Sequence, residues 1–346
     1  MCFFPRSSIL ELVIGYWLLA PLSPVGWVER SETQPLFMEV GFRYLNPTYK
    51  LLTDNKGLPS PCPQKMLLEL AIGDAYGAGF EYAESDFVSL YNNLSQYVQH
   101  PRYKIRPGCY TDDTQMSIAI AETLVEGQPW TREVLASKFV TAFKRDQREG
   151  YARKFYQFLL KIEDGQEFLD NIEGRSDKSG GAMRAAPIGI LPTVEKVIEA
   201  ATIQASITHN SPDGIAAAVA AALMSHYFIY RLGQKRKLGK FLQGYVSGHK
   251  WSEPWQGEVK SKGWMSVRAA ITAIMRNDSL SELLQDCIAY TGDVDTVAAI
   301  ALAAASSSDE IDRDIPLHLL DTLENGAYGK NYIIDLDRQL MGLVAG

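Results

Sequence analysis

Gly108-Cys109-Tyr110-Thr111-Asp112-Asp113-Thr114-Gln115-Met116 runs directly into Ser117-Ile118-Ala119-Ile120-Ala121-Glu122-Thr123-Leu124. Two adjacent carboxylates stand between two threonines, and an alanine-rich apolar run of helical character follows. Adjacent carboxylates repel, so both stay ionised only with positive charge beside them. A helix N-terminus supplies a partial positive charge. A divalent cation supplies far more, and hard cations take carboxylate, hydroxyl and water oxygens. Alone, the stretch also reads as an Asp/Thr N-cap on a surface helix.

A second stretch repeats the arrangement. Thr291-Gly292-Asp293-Val294-Asp295-Thr296 leads into Val297-Ala298-Ala299-Ile300-Ala301-Leu302-Ala303-Ala304-Ala305. Both helices are too apolar for a surface, so their N-termini are expected to meet inside the protein. Four aspartates gathered there without a cation would cost on the order of several kcal/mol in desolvation and repulsion. The pattern therefore predicts Asp112, Asp113, Asp293 and Asp295 around a shared cation cluster.

The rest of the chain reads as all-α. Helical character begins at Lys65, and Met66 to Glu81 is apolar with glycines at Gly73, Gly77 and Gly79. Glycine costs a helix about 1 kcal/mol, so three of them predict close approach of another backbone or of a ligand. Asp74 and Glu81 share a face if that helix continues to Glu81. Further helices are expected over 131–143 (capped by Thr131), 151–162, 214–224 (Ser211 as N-cap, Pro212 at the first position), 264–275 and 280–289. Residues 231–240 read as a basic exposed segment and 250–263 as a tryptophan-containing loop. Gly174 to Arg184 is a small-residue loop of the kind that presents N–H groups to anions, and an ordinary turn accounts for it equally well. No alternating strands and no glycine-rich nucleotide motif after a strand appear, so a nucleotide-binding α/β fold is not indicated. Residues 1–62 carry many prolines and no periodicity, and are expected to form an irregular extension ahead of one helical domain over 63–346.

Composition bounds the function. The 346 residues are 46% hydrophobic and 22% charged, with net charge −7. That balance fits a globular domain and argues against a nucleic-acid-binding face. Cys2, Cys62, Cys109 and Cys287 are scattered, with no zinc or disulfide spacing. Cys109 has no histidine partner nearby and is expected to be a small buried residue. The apolar run from Ile9 to Leu22 contains Glu11, is too short to span a bilayer and matches a signal peptide poorly. The expectation is a cytoplasmic monomer without membrane or nucleic-acid partners.

Taken together, these segments resemble the ADP-ribosylglycohydrolase family from about Lys65 to near the C-terminus. The resemblance rests on Gly73-Asp74-Ala75-Tyr76-Gly77 with Glu81, Thr111-Asp112-Asp113-Thr114-Gln115-Met116, Gly180-Gly181-Ala182-Met183-Arg184-Ala185-Ala186-Pro187-Ile188-Gly189, Thr208-His209 and Gly292-Asp293-Val294-Asp295-Thr296. Each motif is weak alone; their order and spacing together are specific. The resemblance implies a compact, orthogonally packed, all-helical fold with two divalent cations, Mg2+ or Mn2+. It implies hydrolysis of the glycosidic bond joining ADP-ribose to an arginine, a serine or another acceptor, on a protein or a small derivative. By position, Thr111, Asp112, Asp113, Asp293, Asp295 and Thr296 would hold the metals. Glu81 would orient water or act as a gate. Ser179, Gly180, Gly181 and Met183 would cradle the diphosphate, with His209 near the distal ribose. The general base is one of Glu81, Asp112 and Asp113. Many relatives carry Gly-Asn where this chain has Lys178-Ser179, a difference that bears on the substrate. The alternatives are a metal-dependent hydrolase of another nucleotide-sugar or phosphate ester, and a non-catalytic ADP-ribose binder.

Overall fold

A computed structural model describes residues 66–344. The expected extension over 1–62, and the boundary at 63, lie outside the described residues. Among those residues, fifteen α-helices form and β-pairing is limited to isolated bridges. In chain order they are α1 (Met66–Gly77), α2 (Ser85–Tyr91), α3 (Asp112–Val125), α4 (Arg132–Arg145), α5 (Arg153–Lys161), α6 (Gly165–Asn171), α7 (Gly180–Met183) and α8 (Val194–Thr208). Then come α9 (Pro212–Ile229), α10 (Leu238–Tyr245), α11 (Gly263–Arg276), α12 (Leu280–Ala289), α13 (Val294–Ala305), α14 (Leu317–Thr322) and α15 (Lys330–Gly342).

The two aspartate-led helices are central. Every residue of α13 is buried, as is every residue of α1, and α3 is buried from Asp112 to Thr123. A helix apolar all round belongs in a core rather than on a surface. α13 packs against α1, α9, α11 and α12, while α3 packs against α1, α4 and α15. α9 is long and apolar enough to cross a membrane, yet 78% of it is buried inside the protein.

Two glycines of α1 explain how these helices come so close. A Cβ on Gly73 would lie 2.7 Å from the Ala298 carbonyl oxygen, and one on Gly77 would overlap the Asp295 backbone. The partner is therefore another backbone, that of α13. α1 ends at Gly77, and Glu81 stands in the turn beyond it. The shared helical face of Asp74 and Glu81 does not form.

Several caps follow the sequence. Thr131 accepts from Val134 N, and Ser211 accepts from Gly214 N with Pro212 at the first helical position. Other expectations need correction. The 151–162 helix shortens to Arg153–Lys161, because Tyr151 turns inward to bond Gln115. The 231–240 segment is not uniformly exposed: Lys235 is buried, its ammonium bonded to Asn277 O and Asp278, and Leu238 opens α10 inside the core. Cys109 is half-buried rather than buried, its Sγ accepting from Arg106 Nε at 3.1 Å.

Gly73→Ala should lower stability by about 1–3 kcal/mol through overpacking, although alanine favours a helix by about 1 kcal/mol. Gly244→Ala in α10 meets nothing within 4 Å and should stabilise by up to about 1 kcal/mol. Denaturant titration reads both signs. A stabilised Gly73→Ala variant would contradict backbone contact between α1 and α13.

Candidate metal centre

The N-termini of α3 and α13 meet at the floor of one cleft of about 570 Å³. Asp112, Asp113, Asp293, Asp295, Thr296 and Glu81 all line it. The Thr296 hydroxyl lies within reach of both the Asp113 and the Asp293 carboxyl groups, between the two helix ends. Glu81, Asp293 and Asp295 each offer a carboxylate oxygen within 4.8 Å of the others.

Three backbone features aim these groups. Thr291 and Gly292 both have positive φ, 61° and 89°, and turn the chain sharply into α13. A side chain on Gly292 would collide with the Val259 carbonyl oxygen, which accepts from Asp293 N at 2.9 Å. Tyr82, beside Glu81, also has positive φ, 49°, and its N–H donates to Gly292 O at 2.8 Å. A non-glycine residue there costs roughly 1–2 kcal/mol, so the Glu81 turn is held by contacts rather than by preference. Gly150 closes the far side: its φ is 102°, and a Cβ would strike Asp112 Oδ1.

The charge balance is unfavourable as it stands. Burial, then the charges of Asp74 and Glu81, push Asp112 well above the carboxylate range. Burial, then Asp74 and Asp112, do the same to Asp113. Burial, then Glu81 and Asp113, raise Asp295. Asp293 is also raised by burial, against hydrogen bonds from Ser179, Thr296 and Ser266. Glu81 is pushed up to about 8, mainly by burial and then by Asp293 and Asp74. The Oδ1 atoms of Asp113 and Asp295 are buried without a hydrogen-bond partner among the described residues. Orphaned carboxylate oxygens in one cleft are the donors that hard divalent cations take.

The small-residue loop forms one wall. Its last residues make α7, and the Ser179 side chain bonds Asp293 rather than facing open cleft alone. A Cβ on Gly180 or Gly181 would lie 3.0–3.1 Å from the His209 ring, so these glycines make room for the imidazole. His209 is fixed from behind. Arg184, buried, donates to Thr208 Oγ1 at 2.7 Å, and the Thr208 hydroxyl is hydrogen-bonded to His209 Nδ1, also at 2.7 Å. Burial and the Arg184 charge lower the histidine to about 3, so it remains neutral. Arg184 is held by Gln204 Oε1 at 2.7 Å and lies over the Phe139 ring at 4.4 Å.

Of the sequence-derived site residues, the cleft gathers Glu81, Asp112, Asp113, Ser179, Gly180, Met183, His209, Asp293, Asp295 and Thr296. Thr111 stands behind, its hydroxyl donating to Asp74 Oδ1 at 2.7 Å. Gly181 is buried against His209. Sequence reasoning assigned no role to Arg184, Gln204, Tyr82, Gly150 or the α5 residues Lys154, Phe155 and Phe158 that line the cleft. Arg184 lay within a quoted motif, but only packing reveals that it points inward.

Comparison with known proteins agrees with this geometry. A sequence model of the ADP-ribosylglycohydrolase family matches residues 64–345. ADP-ribosylarginine hydrolase Tri1 of Serratia proteamaculans (strain 568) is 21% identical over 311 residues, 85% of this chain and 81% of that protein. The ADP-ribosyl-[dinitrogen reductase] glycohydrolase of Rhodospirillum rubrum is 25% identical, over 74% of this chain and 88% of that protein. A solved ADP-ribosylglycohydrolase-related protein complex shares the fold at a TM-score of 0.65 and 20% identity, covering 82% of this chain and 97% of that one.

Raised carboxyl pKa values fix the sign of a pH effect. The folded state binds more protons than the unfolded chain, so stability in chelator should fall as pH rises from 4.5, the ordinary value for Glu81, to about 8. Asp295→Asn removes one charge at constant shape and should flatten that decline, raise the melting temperature in chelator and weaken Mn2+ binding. Melting curves and calorimetry check all three. A wild-type melting temperature that climbs across this interval in chelator would contradict the repulsion.

Proposed function

This chain belongs to the ADP-ribosylglycohydrolase family, and from that premise we propose that it hydrolyses the glycosidic bond between ADP-ribose and an acceptor, with two divalent cations at the aspartate cluster. The observation that carries the reading is the junction of α3 and α13. There, one buried carboxylate oxygen each on Asp113 and Asp295 lacks a partner among the described residues, and Glu81, Asp293 and Asp295 each bring a carboxylate oxygen within 4.8 Å of the others.

Asp112, Asp113, Asp293, Asp295 and Thr296 would hold the cations, with Thr111 behind them. Magnesium or manganese bound there supplies Lewis-acid polarisation of ribose oxygens and lowers the pKa of an attacking water. The chain's own groups do the rest. Burial and the Asp293 and Asp74 charges hold Glu81 up at about 8; cations at the neighbouring carboxylates would favour its ionised form, which takes a proton from water. The water oxygen bonds to the anomeric carbon as the bond to the acceptor breaks, through an oxocarbenium-like transition state, and the departing acceptor takes up the proton that Glu81 removed. The carboxylates surrounding the ribose favour the developing positive charge. The neutral His209 ring, beside Gly180, and the N–H groups at the start of α7 bind the anionic side of the substrate. Lys154 and Lys178, also on the cleft wall, offset the diphosphate charge.

The test is to incubate the protein with ADP-ribosyl-arginine, ADP-ribosyl-serine peptide and ADP-ribose phosphate, in Mg2+, in Mn2+ and in chelator. Free ADP-ribose released only with metal is the expected product, and Asp295→Asn should reduce its formation by about 100-fold or more, as loss of a transition-state contact does. Release of AMP instead would mean phosphoryl chemistry at the same centre. Tight ADP-ribose binding with no turnover of any substrate would mean a binding protein.

A further inference from the structure

α3 carries two cleft-lining aspartates at its first two positions but has no N-cap side-chain bond from Thr111. Thr111 occupies the N-cap position with extended backbone, φ −111°, yet its side chain makes no capping bond. The first N–H groups of a helix have no intrahelical partner, and an N-cap side chain ordinarily accepts from one of them. Here the acceptor comes from another helix. Asp74 of α1, fully buried, accepts from Thr111 N at 2.9 Å and from Thr114 N at 3.0 Å through Oδ2. The same carboxylate accepts from both flanking hydroxyls, Thr111 Oγ1 at 2.7 Å and Thr114 Oγ1 at 2.6 Å.

Those two N–H groups are the pair that a local capping box satisfies with two separate side chains. One carboxylate, anchored in a different helix, does both. The consequences reach the cleft. Asp112 and Asp113 lie between the two clamped threonines, and both line the cleft. The Thr111 proton is committed to Asp74, which leaves its lone pairs as the hydroxyl's only further capacity. Gly77, three residues on from Asp74, sets α1 against the Asp295 backbone. α1 is thus fixed to both aspartate-bearing helix ends at once.

We propose that Asp74 is a positioning residue for the cation centre: it does not touch the ions, but it sets the orientation of Asp112, Asp113 and the Thr111 oxygen relative to Asp293 and Asp295. The proposal rests on the metal reading given above. Ligands are held in productive geometry by hydrogen-bonded groups behind them, and loss of such a group costs metal affinity about 10- to 100-fold.

Asp74→Asn places an amide donor among four donors and should break the clamp. Asp337→Asn is the matched control. Asp337 is also buried and accepts from three consecutive N–H groups, those of Met66, Leu67 and Leu68, but at the opposite end of α1. Both variants should lose melting temperature. Only Asp74→Asn should weaken Mn2+ binding by calorimetry, by about 10- to 100-fold, and only it should speed amide hydrogen exchange at Thr111 and Thr114. Thr114→Val, which keeps Asp74 and removes one of its four donors, should show a smaller loss of the same kind and serves if Asp74→Asn does not fold. Unchanged exchange at Thr111 and Thr114 would overturn the clamp. Faster exchange with undiminished Mn2+ affinity, or equal loss of affinity in Asp337→Asn, would overturn the positioning role. Wild-type protein that binds no Mn2+ while its Thr114 amide stays protected would instead overturn the metal reading.

Discussion

Buried like charge is the constraint from which the rest of this structure follows. Asp112, Asp113, Asp293 and Asp295 are each under one-tenth exposed, with Asp74 directly behind them. Two helix dipoles supply only about half a unit of positive charge each. The surrounding core has to hold these carboxylates together against their repulsion, and it does so with helices that are buried all round. α1 and α13 lie backbone against backbone through Gly73 and Gly77. That contact cannot relax without moving Asp295. Rigidity and electrostatic stress therefore sit in the same place, as they do at functional sites that give up stability.

The stress is local because the opposite wall is arranged in the reverse sense. Arg184 is a buried cation whose charge is spread over Gln204, Thr208 and the Phe139 face. Burial and that charge together keep His209 neutral. One side of the cleft thus demands cations, while the other offers N–H donors at the tip of a short helix. A substrate with a hydroxyl-rich sugar next to an anion complements both walls, which is the chemical sense of the proposed ADP-ribose specificity. Positive φ at Tyr82, Thr291 and Gly292 lies on the boundary between the two walls. Such backbone persists only where neighbours over-determine it, and here Val259 O and Gly292 O do so.

Local order was legible in the sequence by itself. The apolar runs after Asp113 and Asp295 dictated core helices, the glycines of α1 dictated a close approach, and Thr131 and Ser211 marked helix starts, because periodicity, caps and chain flexibility are properties of neighbouring residues. The two aspartate pairs were legible as one centre because like charges at two buried helix ends have few ways to coexist. Tertiary structure alone decided how that centre is supported. Asp74 and Thr114 are forty residues apart, and nothing in either segment says that one carboxylate will cap the other helix. Arg184 and His209 meet only because α7 packs against the C-terminus of α8, and Glu81 left the face of Asp74 because α1 stops at Gly77. In each case the deciding quantity was the direction of a side chain across a helix–helix contact, which depends on crossing geometry and burial rather than on spacing along the chain.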